Sequence, residues 1–138
     1  GAVAPSGALA ACEEAGTLCR EWAATAPAVC TADLAGELNS LATGRSGTGD
    51  PAGALAAIEE AVTLYRELAA TAPAVYTADL AMSLNNLSNR RAGTGDPAGA
   101  LAAIEEAVTL YRELAATAPA VHTPDLAASL NNLSLINI

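Results

Sequence analysis

The chain has 138 residues, 52% of them apolar, with three tyrosines and one tryptophan as its only aromatics and no lysine. Its net charge of −9, from 15 acidic and 6 basic residues, repels phosphate backbones and anionic membranes, so neither nucleic acid nor membrane is expected as a partner. No apolar run approaches the roughly 20 residues of a membrane span. The N-terminus lacks the basic start and long apolar centre of a signal peptide, and a soluble, cytoplasmic protein is expected.

A period of 46 organises the sequence. Pro5, Pro51 and Pro97 are spaced by it, as are Asp33, Asp79 and Asp125, and Asn39, Asn85 and Asn131. Segments 47–88 and 93–134 differ at three of 42 positions: Tyr76/His122, Ala78/Pro124 and Met82/Ala128. The chain reads as one repeat domain, 1–138, of three periods: a divergent 1–46, then 47–92 and 93–138.

In chain order, the first expected element is a longer helix over about 5–24. Here Cys12, Gly16, Cys19 and Trp22 stand where Ile58, Val62, Tyr65 and Leu68 stand in the second period, and Cys30 replaces Tyr76. Cysteines at apolar positions, with spacings that match no common zinc pattern, read as small buried hydrophobes. No metal or cofactor is expected. A shorter helix carrying "ELNSLA" at 37–42 follows.

The second period opens at "GDPAGALAAIEEAVTLYRELAA" with Asp50 as N-cap and Pro51 at N1, where a missing N–H costs nothing. Leu55, Ile58, Val62, Tyr65 and Leu68 form a stripe of helical period, with Glu59, Glu60, Arg66 and Glu67 mainly off it. The helix is expected to stop near Ala70, before Pro73. A shorter helix is expected to open at Thr77 as N-cap, with Asp79 near its positive end, and to run through Leu80, Leu84 and Leu87 to about Arg90–Ala92. The third period repeats this from Asp96 and Pro97, and its shorter helix is expected over about 123–136, with Thr123 as N-cap and Pro124 at N1. About six helices result, an all-α array in which nearly uncharged short helices form an inner layer and acidic long ones an outer layer.

These residues resemble the tetratricopeptide (TPR) family, in its long-repeat, kinesin-light-chain-like and actinobacterial form. The family pattern W-x2-L-G-x2-Y, A-x3-F-x2-A, P is met by Leu84, Leu87 and Ser88, then Ala100, Ile104 and Ala107, then Pro119. The preceding copy offers Leu38, Leu41 and Ala42, then Ala54, Ile58 and Ala61, then Pro73. The chain departs from the pattern in placing Arg45 and Arg91 at the usual Tyr position and Leu38, Leu84 and Leu130 at the first aromatic. A period of 46 also falls in the range of HEAT and armadillo repeats. The resemblance implies a right-handed α-solenoid of antiparallel helix pairs, a scaffold that binds a protein or peptide in its concave groove.

Carrying the family's groove positions over places Asn39, Met82, Asn85, Asn89, Asn131 and Leu135 in that groove, with Thr43 and Ala128 beside them. An Asn amide offers two donors and an acceptor to an extended peptide. Asn86 and Asn132 are read as bracing a neighbouring helix; both Asn sets can equally be structural. Arg45, Arg90 and Arg91 either clamp an anion or complement the C-terminal dipoles of their own helices. His122 has no evident catalytic partner, no nucleotide-binding glycine loop is present, and no enzyme is expected. The alternative function is structural. The first helix lacks an inner partner and the last an outer one, so helix 123–136 of one copy would pack on 5–24 of another, giving head-to-tail oligomers, rings or filaments.

Overall fold

The computed structural model describes Glu14, Thr17, Leu18 and residues 27–47 and 49–136; within 27–47 the side chains from Thr31 to Ala42 are described. Among the described residues there are five helices and no strand: α1 (Pro27–Gly47), α2 (Pro51–Thr71), α3 (Pro73–Gly93), α4 (Pro97–Thr117) and α5 (Pro119–Ile136). Of the helix expected over 5–24, Glu14, Thr17 and Leu18 are described and each is helical; Cys12, Cys19 and Trp22 lie outside the described residues, as do the side chains of Cys30, Thr43 and Arg45. No described helix is long and apolar enough to cross a membrane.

The helix bounds follow the 46-residue period: α2 and α4 have one sequence and equivalent limits, and α3 and α5 start at equivalent prolines. The expected caps of the longer helices are present. The Asp50 carboxylate accepts from the Gly53 amide at 2.9 Å, and Asp96 from that of Gly99 at 3.0 Å. Each such cap is worth about 1 kcal/mol. A Cβ on Gly99 would run into the Asp96 carboxylate, so a side chain there would displace the capping group. Gly95 takes φ +82, the left-handed conformation that closes the turn between α3 and α4.

The shorter helices are a correction to the sequence reading. They begin at Pro73 and Pro119, four residues ahead of Thr77 and Thr123, and α3 is as long as α2. Neither threonine is a cap. A single residue, Ala72 or Ala118, joins consecutive helices, and it serves both. Its amide donates back to Leu68 or Leu114 at 2.9 Å, while its carbonyl accepts from Val75 and Tyr76, or from Val121 and His122, at 3.1 Å. Proline at N1 makes so short a joint feasible, because its fixed φ already suits a helix and it has no amide to leave unbonded. Pro124 therefore sits inside α5, where it removes the amide that would bond Ala120.

The chain divides into two compact units, Gly1–Leu64 and Tyr65–Ile138. In the first, the buried residues described are Leu34, Ala35, Leu38, Leu41 and Ala42 of α1 with Ala54, Ala57, Ile58, Ala61 and Val62 of α2. In the second, α4 packs against both α3 and α5. Ala100, Ala103, Ile104, Ala107, Val108 and Tyr111 of α4 are buried, as are Leu80, Ala81, Leu84 and Leu87 of α3. Full burial of a side chain such as Ile104 or Leu84 contributes roughly 1.5–3 kcal/mol. The alanines let helix axes come close. At that approach the Ser88 hydroxyl donates to the Ala100 carbonyl at 2.9 Å, a polar contact inside the core.

Candidate functional site

Helical spacing sets Met82, Asn85 and Asn89 along one stripe of α3, away from the buried Leu80, Leu84 and Leu87. Asn131 and Leu135 hold the equivalent positions on α5. Met82 is 38% exposed and Leu135 is 62% exposed, Asn89 and Asn131 are exposed, and Asn85 is half-buried. Asn39, half-buried on α1, belongs to the first unit.

Asn85 is half-buried because it has a partner. The Asn132 amide donates to its side-chain carbonyl at 2.9 Å, tying α5 to α3. The bond joins one asparagine expected to face a ligand with one expected to brace a helix, so the two sets meet rather than divide the work. An open recess of ≈ 300 Å³ lies beside them, lined by Asn89, Ala92, Pro97, Asn132, Leu135 and Ile136. Of the residues expected at a binding surface, Asn89 and Leu135 share this recess. Asn132, Ala92, Pro97 and Ile136 were not anticipated there. Pro97 carried a signal, since a proline at N1 marks a helix start, and the recess lies where that start meets the ends of α3 and α5.

The arginines contribute in a further way. Arg90 and Arg91 fall in the last turn of α3, as dipole complementation requires. In addition, the Arg91 guanidinium donates to the Gly99 carbonyl in the first turn of α4 at 3.2 Å, across the turn that it helps to hold. On the acidic outer surface Arg66 makes a two-pronged pair with Glu106, one arm at 2.7 Å, linking α2 to α4.

At the other end of α4, burial pushes the Tyr111 phenol up to about 12, with the Asp125 and Asp79 carboxylates adding to the effect. Burial likewise raises Tyr65, beside Asp79 and Tyr76, and raises Asp79 itself. Phenols held protonated in this way pack and donate; they do not act as bases near neutrality. His122 Nδ1 is buried without a hydrogen-bond partner among the described residues, at the place Tyr76 holds in α3. Among the described residues no three His, Cys, Asp or Glu side chains gather as a metal ion would need. No protein-family model matches the chain, and no curated protein matches it.

Proposed function

We propose that the chain is a TPR-like, right-handed α-solenoid of antiparallel helix pairs, and that it acts as a scaffold holding an extended peptide or protein segment in its groove. The observation that carries this reading is the uncharged stripe of Met82, Asn85 and Asn89 on α3, tied to α5 through Asn132 and continued there by Asn131 and Leu135. Amides along such a stripe satisfy peptide backbone groups whatever the peptide's side chains, while Leu135 and the adjoining recess offer an apolar pocket. The Asn132–Asn85 bond uses one amide of each pair to fix the spacing of the helices, and the exposed Asn131 and Asn89 serve as the gripping positions.

A displayed library of extended peptides selected against the full chain supplies the ligand for a test. Asn131→Ala and Asn89→Ala should each weaken the selected peptide about three- to tenfold, the equivalent of one net hydrogen bond. Undiminished binding by both variants would remove the groove assignment.

A further inference from the structure

We propose that the segment held in the groove is basic, and that Asp79, Asp125 and the Tyr111 hydroxyl bind its arginine or lysine side chains. The inference rests on the groove reading above and extends its stripe towards the starts of α3 and α5. Helical spacing carries the stripe there: Asp79 lies three residues before Met82, and Val75 four before Asp79. Val121 and Asp125 hold the equivalent places on α5.

This end of the stripe is open. Val75 is 62% exposed and Val121 64% exposed, and Pro73, Ala74, Pro119 and Ala120 are exposed beside them. Both α4 and α5 follow α3, yet Val75 is about as open as Val121. The opening therefore persists where a further repeat is packed on.

Both aspartates act on Tyr111 of α4, the helix that packs on α3 and on α5. Its side chain is only 6% exposed. A phenol so deeply buried ordinarily has a hydrogen-bond partner. Among the described residues the Tyr111 hydroxyl has none, and neither aspartate accepts a hydrogen bond or joins an ion pair. Two carboxylates and a phenol oxygen thus come together with their acceptor capacity unused.

A guanidinium brings charge and several donors in one planar fork, which answers that set; an ammonium answers it as a compact charge. A metal ion is the poorer occupant, since no three His, Cys, Asp or Glu side chains gather among the described residues. Asp79 is the stronger anchor of the two, because burial already opposes its charge and a bound cation offsets that cost. The net charge of −9 draws a basic segment from a distance. Val75 and Val121 then receive apolar residues that lie between its cations.

Fluorescence anisotropy of the full chain with a labelled synthetic peptide of alternating arginine and valine tests this. The peptide should bind, and its glutamate–valine counterpart should not. Asp79→Asn and Asp125→Asn should each weaken binding about two- to fivefold, with helicity by circular dichroism unchanged. Glu105→Gln and Glu113→Gln make the same change of charge at exposed positions of α4 and should leave binding unaffected, which separates a site from general attraction. Binding should also lower the pH at which Tyr111 ionises, because a cation beside a phenol favours its anion. No binding of the arginine peptide overturns the inference. So does equal binding of both peptides, or weakening by the aspartate variants no greater than by the glutamate variants. Loss of this peptide with Asn89→Ala and Asn131→Ala, but not with the aspartate variants, overturns the basic partner and keeps the groove. Loss with the aspartate variants alone keeps the basic partner and removes the groove.

Discussion

Helices α3 and α5 carry closely similar sequences, and all three differences between segments 47–88 and 93–134 fall within them. Their fates differ. In α3 six side chains are buried: Leu80, Ala81, Ser83, Leu84, Leu87 and Ser88. In α5 only Ser129 is. The residues at those six positions are the same in both helices; the neighbours are not. Burial here is a property of what lies alongside a helix, and the pattern records only which surface expects company. A stability contribution read from one repeat therefore cannot be assigned to its counterpart without knowing what covers it.

The strongest test of that contrast is the pair Leu84→Ala and Leu130→Ala, the same substitution at the same repeat position. The first should cost about 2–5 kcal/mol in urea unfolding, through lost transfer energy and a cavity. The second should cost roughly 1 kcal/mol or less at concentrations where the chain is monomeric. Equal costs would break the comparison. Next in size is the proline inside α5. Pro124→Ala should raise stability by up to about 3 kcal/mol, and Ala78→Pro in α3 should lower it by at least as much, both read from the thermal midpoint. Ser88→Ala should cost about 1 kcal/mol for its hydrogen bond to Ala100, whereas Ser134→Ala should be nearly silent.

The test confined to the narrowest range of conditions is alkaline. Tyr111 is held protonated by burial and by Asp125 of α5 and Asp79 of α3. Its folded pKa of about 12 lies above the ordinary 10.0, so the folded form keeps its proton where the unfolded form has lost it. That contribution to stability is complete below pH 10 and fades as pH rises from there towards 12. Ultraviolet titration should find one phenol ionising near 12. Asp79→Asn and Asp125→Asn should each lower that value, and comparing the two shows which helix holds the closer charge.

Much of the fold was legible in the residues. The period, the helix starts at Asp50–Pro51 and Asp96–Pro97 and the stops near Ala70 and Ala92 all follow from local chemistry. The early starts of α3 and α5 did not, because "TADL" and "TPDL" carry a good cap signature that competes with Pro73 and Pro119, and the tertiary fold extends the helix through it. Pro124 strengthened the wrong choice, since proline after threonine usually marks a first turn. At the site, Met82, Asn85 and Asn89 were carried over from the family resemblance, and helical spacing sets them on one side of α3. The Asn132–Asn85 bond could not be read in this way, because it depends on the axial offset between two helices that are not neighbours in the chain. The Arg66–Glu106 pair was hidden for the same reason: neither residue stands out from an acidic surface until the helices are laid side by side.

Helices α2 and α4 are identical through all 21 residues, and this has a kinetic corollary. During refolding either one satisfies α3 chemically, so the chain meets two equivalent docking choices and only chain connectivity ranks them. Mispairing of the two helices is the expected competing reaction. A refolding trace with a slow phase, abolished by marking one helix with Ile58→Val, would be the imprint of that ambiguity.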